Sequence, residues 1–271
     1  MKNHKVLSVV LTVNLFIGAG FCFAYQLPGD WNEFQSEHFL IYSHPSISSK
    51  YFRQLAHKSE QRFRSLTGEL GLTKFDLRVN MEKVSIFVYQ DKQDYLKKTG
   101  RPRSEMLTRF EPRGFMETFY FDKNFFEAGF SYELSQILLR EFIGQNDSVP
   151  FWFKRGIGLA SQKSDNLRYQ LLIKGLAAKE GYLGVTELES FGSSGDYYSE
   201  KASALSTALV LFLLENYGSS EFGLFLRQLR EGRQFYAAMN TVYNIQSAQE
   251  LNYNFLVYLG NTSYQDFVVA N

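Results

Sequence analysis

Apolar and polar residues alternate in three short stretches of the first half of the chain. These stretches are Phe39–Ser43, Lys83–Tyr89 and Gly114–Phe121, and alternation with a period of two is typical of half-buried strands. Between the first two, residues 49–70 carry apolar side chains every three or four positions, which predicts a helix with one buried stripe. A further helical turn is expected after Asp91. This half is therefore predicted to be mixed α and β.

The second half of the chain carries the spacing of helices. Two long apolar segments over residues 130–161 are separated by a short turn, and Pro150 opens the second. Further helices are predicted over 166–179, 186–190, 200–217, 219–230, 235–243 and 247–259. Gly218 and Gly232 mark two helix ends, because glycine readily adopts the left-handed conformation found there. The whole pattern predicts an α+β fold.

The helix pair over residues 130–161 carries polar residues at a spacing that matters for chemistry. Tyr132 and Gln136 are four positions apart and share a helix face, with Glu133 between them. Arg155 follows on the second helix, on an otherwise apolar face. With histidine at 132 and 136 the stretch would read H-E-x-x-H, the motif of zinc peptidase helices.

These residues resemble the peptidase-MA-like family, bacterial relatives of the gluzincin zinc metallopeptidases. That family has a helix with HELTH, a short loop, Pro-x-Trp and then Glu-Gly-Leu-Ala. The chain has YELSQ over residues 132–136, VPFW over 149–152 and RGIG over 155–158. The helix pair is the specific part of the resemblance, which extends loosely over about residues 37–260.

The resemblance implies a gluzincin-like fold for residues 25–271. A small lobe with a mixed β-sheet, over about 37–123, would meet a helical lobe over 124–260 across a cleft. The vestigial site helices would cover 125–144 and 149–162. A peptide or protein partner would bind in the cleft between the lobes.

Transferred to this chain, the family's zinc ligand positions are Tyr132, Gln136 and Arg155, and Glu133 matches its general base. Zinc requires lone-pair donors such as imidazole or carboxylate, and a guanidinium offers none. Without a metal-bound water, Glu133 has nothing of lowered pKa to act on. We therefore expect the zinc site to be lost, with no cofactor and no catalytic residue.

Glu133 lies on a helix that is apolar on most sides, so we expect it to be poorly hydrated. A buried carboxylate requires a partner. Arg155 replaces the third ligand, and an ion pair between Arg155 and Glu133 is the predicted substitute for the metal. In the alternative, Arg155 extends to solvent and Glu133 faces water.

Three of the four histidines lie between residues 38 and 57, far along the sequence from Tyr132. A relocated site using His38, His44 or His57 stays open as an alternative. The strand-like alternation from His38 onward favours ordinary surface or strand-end residues.

Residues 1–24 have the pattern of an export signal. Lys2 and Lys5 precede an apolar run, and small residues allow cleavage after Ala24. Cleavage would remove the only cysteine, Cys22, and change the formal net charge from +1 to −1. The mature chain would have no basic surface for nucleic acid and no stable membrane span. A periplasmic or extracellular location in a bacterium is expected.

Composition and length are those of an ordinary globular protein, with 271 residues of which 45% are hydrophobic. Three functional hypotheses follow. The favoured one is an inactive metallopeptidase-like protein, a pseudopeptidase with a binding or scaffolding role in the cell envelope. The alternatives are an active hydrolase with a non-standard site and a purely structural envelope protein.

Overall fold

The computed structural model describes residues 31–75, 83–100, 115–122, 125–178, 182–191 and 199–261. Within these ranges the protein is mixed α and β, with a four-stranded sheet and nine helices. None of those helices is both long enough and apolar enough to cross a bilayer. The predicted export signal over residues 1–24 lies outside the described residues.

The elements follow the predicted pattern closely. The strands are β1 (Asn32–Gln35), β2 (Phe39–Ser43), β3 (Val84–Tyr89) and β4 (Phe115–Phe119). The helices are α1 (Ser49–Glu69), α2 (Lys92–Thr99), α3 (Phe130–Ile143), α4 (Phe151–Gln162), α5 (Asn166–Ala177), α6 (Val185–Ser190), α7 (Glu200–Arg230), α8 (Phe235–Tyr243) and α9 (Ala248–Asn261). A π-helical turn over Phe125–Gly129 leads into α3. Strand β1 was not predicted, because its sequence NEFQ contains a single apolar residue and its side chains are half-buried or exposed.

The sheet has the order β1-β2-β3-β4. Strand β1 pairs antiparallel with β2, whereas β2, β3 and β4 run parallel, with α1 and α2 in the connections between them. Side chains alternate between two buried faces. Ile41, Ile86 and Met116 belong to the main core, and Phe87 and Tyr89 pack on the opposite face with α2. A parallel sheet covered on both faces is the usual outcome of such helical connections.

One continuous apolar core joins the sheet to the helices. Phe39 of β2 contacts Phe130 of α3, with ring centroids 5.9 Å apart. Further along, Phe153 of α4 packs against Phe225 of α7 and Phe235 of α8. The predicted division into two lobes separated by a cleft stays a prediction.

Helix α7 runs through the centre of the helical part and contacts α3, α4, α5, α8 and α9. Its backbone leaves the helical conformation at Gly218, where φ is 86°, which confirms the predicted break at this residue. Just beyond the break, Gly223 lies against the backbone of Gly71: a Cβ added to Gly223 would lie 2.3 Å from the Gly71 oxygen. Only glycine permits this approach of two backbones.

Candidate functional site

Helices α3 and α4 form the candidate site and pack directly against each other. Helix α3 buries Leu134, Ile137 and Leu138, and its end at Gly144 has the positive φ of 73° that suits glycine. Helix α4 follows Pro150, whose ring restricts φ to a value compatible with a helix start. The short connection between the two helices therefore follows from local sequence signals.

Tyr132 and Gln136 lie together against the backbone of α4 at Gly158. A Cβ added to Gly158 would lie 2.4 Å from Cε2 of Tyr132 and 2.9 Å from Nε2 of Gln136. The two side chains thus occupy the space that a residue larger than glycine would need. The structure brings together two of the three predicted ligand positions, and the third lies three residues before Gly158.

Gln136 is half-buried, and its side-chain amide is already used as a donor. Its Nε2 donates to the backbone oxygen of Lys154 at 2.9 Å, which links α3 to the first turns of α4. A cavity of about 350 Å³ adjoins it, with Arg140, Asp147 and Lys154 in its lining. Polar and charged groups therefore border the space next to Gln136.

Arg155 is directed toward α7 and α5. Its Nη2 donates to Oγ of Ser203 at 3.0 Å. Burial raises the pKa of Tyr169 in α5, and the positive charge of Arg155 acts against that rise, so the guanidinium also lies near Tyr169. Glu133 is buried, with 5% of its surface exposed, which confirms that it is poorly hydrated. The ion pair between these two residues stays a prediction.

The residues at the three positions that the resemblance assigns to zinc ligands do not fit zinc. The Gln136 amide nitrogen and the Arg155 guanidinium both act as hydrogen-bond donors here. Neither nitrogen offers a lone pair to a metal, the Gln136 amide oxygen is only a weak neutral ligand, and the Tyr132 phenol would first have to lose its proton. No zinc-dependent chemistry follows from this set of donors.

Arg62 of α1 forms hydrogen bonds with both site helices, which was not predicted from the sequence. Its Nε donates to Oγ of Ser131 at 2.8 Å, and its Nη2 donates to the backbone oxygen of Ser161 at 2.6 Å. Its Nη1 pairs with Glu69 at 3.0 Å. The available signal was its spacing from Leu66, which places it beside the buried stripe rather than on the outer face.

The three histidines outside the predicted export signal are not brought together at the helix pair. His57 is exposed, and Nδ1 of His44 contacts Oγ of Ser46 at 2.8 Å. His38 instead contacts buried Glu60: Nδ1 lies 2.7 Å from Oε2, while the His38 backbone N–H donates to Oε1 at 2.7 Å. The exposed Glu37 lies 4.0 Å from the other ring nitrogen.

This group of Glu37, His38 and Glu60 contains atoms of the kind that bind metals, within 4.8 Å of one another. The Glu60 oxygens are already used, because Oε1 also accepts a bond from Oγ of Ser36 at 2.7 Å. We therefore interpret the group as a structural link between the start of β2 and α1. The available sequence signal was the position of Glu60, an acidic residue next to the predicted buried stripe of α1.

Comparisons with protein-family models and with curated proteins identified no related protein. No protein-family model matches the chain, and no curated protein matches it. The resemblance to the peptidase-MA-like family therefore depends on the motif positions alone. Function has to be argued from the residues of the site, since a fold does not determine a function.

Replacing Gly158 by alanine should lower the free energy of unfolding by about 1–3 kcal/mol, because the new methyl group would overlap the Tyr132 ring. In a Tyr132→Ala background the additional cost should shrink. Gly156→Ala is the control, since its Cβ would lie 2.3 Å from the backbone oxygen of Ser206, which Tyr132→Ala does not remove. Denaturant unfolding of the three single variants and of the two double variants with Tyr132→Ala measures this. Additive costs for Gly158→Ala and Tyr132→Ala would contradict the contact.

Acidification should weaken the link between Glu60 and His38. Burial raises the pKa of the Glu60 carboxyl, but hydrogen bonds from His38 and Ser36 outweigh burial and lower it below the usual 4.5. The resulting stability is present above that value and is lost as the pH falls through the folded-state pKa. Glu60→Gln should therefore be destabilised at pH 7 and lose less stability than wild type on acidification.

Urea unfolding between pH 7 and pH 3 measures this difference. Glu187→Gln serves as the control, because Glu187 is an exposed acid on α6. The control should follow the wild-type curve. A wild-type curve parallel to that of Glu60→Gln over the whole range would show that Glu60 contributes no pH-dependent stability.

Proposed function

We propose that the protein is an exported pseudopeptidase, a catalytically inactive gluzincin-like protein that binds or scaffolds a partner in the cell envelope. The observation that carries the proposal is the α3–α4 helix pair. Its motif frame matches the peptidase-MA-like pattern, while Tyr132, Gln136 and Arg155 stand at the ligand positions. The first two pack onto Gly158, and the third bonds Ser203.

One feature supports binding rather than a purely structural role. The cavity of about 350 Å³ beside Gln136 has charged and amide groups in its lining, including Arg140 and Lys154.

Export is part of the proposal and rests on residues 1–24. If the signal is cleaved after Ala24, the mature protein begins at Tyr25. N-terminal sequencing of protein isolated from the periplasm or medium should find Tyr25 first. Recovery of Met1, or of a lipid on Cys22, would instead mean that the protein stays attached to the membrane.

Zinc binding provides the sharpest test of the site. The wild-type protein, dialysed against zinc, should hold well under one zinc per chain. The triple variant Tyr132→His, Gln136→His, Arg155→Glu should bind zinc, because it supplies two imidazoles and a carboxylate at the family's spacing. Peptidase activity should be weak or absent, since the residues that orient the ligands would be missing.

The matched control is the double variant Tyr132→His, Gln136→His, which retains Arg155 and should bind zinc more weakly than the triple variant. Zinc content by atomic absorption and affinity by competition with a chelator give the comparison. Stoichiometric zinc on the wild type, resistant to a mild chelator, would overturn the pseudopeptidase proposal. A folded triple variant without increased affinity would mean that the helix pair lacks the gluzincin arrangement.

A further inference from the structure

A second cavity, of about 360 Å³, lies where α4 begins, between that helix, α6 and α8. Aromatic residues form much of its lining: Phe151 and Trp152 from α4, and Phe235 and Tyr236 from α8. Phe151 is 39% exposed, so part of this aromatic surface is open to solvent. The α4 residues belong to the VPFW motif, to which the proposed pseudopeptidase role assigns no binding function.

Glu189 of α6 is the one charged residue among the described residues that line this cavity. Its Oε1 accepts two hydrogen bonds, from Nε1 of Trp152 at 3.3 Å and from the hydroxyl of Tyr236 at 2.5 Å. Its Oε2 has no hydrogen-bond partner in the described part of the chain. Two donors therefore hold the carboxylate in place, while its second oxygen accepts no hydrogen bond from the described residues.

The two groups that contact Glu189, the Tyr236 hydroxyl and the Trp152 indole, both donate hydrogen bonds to its carboxylate. Burial raises the pKa of Tyr236, and its hydrogen bond to Glu189 raises that pKa further, so the hydroxyl stays protonated and donates. Trp152 can only donate through its indole nitrogen. Among the described residues of the lining, the second Glu189 oxygen stands beside aromatic rings and no side chain is cationic.

A carboxylate oxygen next to aromatic rings has the chemistry that recognises an organic cation. The negative charge attracts the cation directly, and the aromatic faces add a cation–π contribution. A guanidinium bonds carboxylates best through two parallel hydrogen bonds, which needs both oxygens. Because one oxygen is already occupied, a compact ammonium group fits this site better than a guanidinium.

We propose that this cavity binds a primary alkylammonium group, with Oε2 of Glu189 as its anchor and the rings of Phe151 and Tyr236 beside its alkyl chain. The cation can come from a free alkylamine or from a lysine side chain of a partner. The site is distinct from the former ligand positions, and the inference does not depend on the pseudopeptidase proposal. Zinc measurements on the triple variant therefore leave it untouched.

Fluorescence of Trp152 offers a direct reading of binding, because the chain has two tryptophans and Trp31→Phe leaves Trp152 alone. Two probes carry the same cation: hexylamine, and Nα-acetyl-lysine N-methylamide. Each is compared with its uncharged counterpart, hexanol or Nα-acetyl-norleucine N-methylamide. We expect at least one amine to bind about tenfold more tightly than its counterpart, as a charged hydrogen bond provides.

Glu189→Gln tests the anchor, because its amide oxygen can still accept from Trp152 and Tyr236 while the charge is removed. Affinity for the amine should fall by about tenfold to a hundredfold. Glu187→Gln removes an equal charge from the exposed face of the same helix and should leave affinity unchanged. Added salt should weaken binding to the wild type more than binding to Glu189→Gln.

The binding measurements distinguish a free amine from a lysine side chain as the source of the cation, and they also test the proposal itself. Preference for hexylamine indicates a free amine, and preference for the lysine derivative indicates a lysine side chain; either one supports the site. Equal affinity of the wild-type cavity for amine and uncharged counterpart would overturn it, as would equal amine affinity in a folded Glu189→Gln variant. The comparison on the wild-type cavity needs no change at Glu189, so it stands even if that variant fails to fold.

Discussion

The close packing of α4 between α3 and α7 is the constraint on which the site depends. It requires two glycines on α4: Gly158 faces Tyr132 and Gln136 of α3, and Gly156 faces Ser206 of α7. A Cβ at Gly156 would lie 2.3 Å from the Ser206 oxygen, so the two helices approach to backbone contact there. This packing brings Tyr132 and Gln136 together against α4, while Arg155 is directed toward α7.

In a zinc peptidase the metal itself links the two site helices through its ligands. In this chain α3 and α4 are linked by hydrogen bonds and by contact between side chain and backbone. Gln136 bonds the backbone of Lys154, and Arg62 of α1 bonds Ser131 on α3 and Ser161 on α4. These bonds involve charged or amide donors in half-buried positions, where a hydrogen bond is worth more than on an open surface.

The first turn of α4 lies between two cavities of different character. Arg140 and Lys154 line the cavity beside Gln136, together with Asp147, whereas Glu189 is the one charged residue among the described residues that line the aromatic cavity at Trp152. Charge distribution therefore predicts different ligand classes for the two spaces. The VPFW motif, interpreted from sequence as a mark of the peptidase-like frame, contributes residues to the lining of both.

Local patterns predicted the elements well, because apolar periodicity and glycine or proline signals act within a few residues. Ser49–Glu69, Val84–Tyr89 and the break at Gly218 follow from them, whereas β1 was not predicted because it contains a single apolar residue. Spacing along α1 could single out Arg62 and Glu60, but the partners in the contacts of Arg62 with Ser161, of Glu60 with His38 and of Glu189 with Trp152 were not predictable. Each joins residues that lie 22 to 99 positions apart, and no local pattern encodes such a pair. Helix packing alone decides which polar side chains meet, because it sets the distances between helices and between helix and strand.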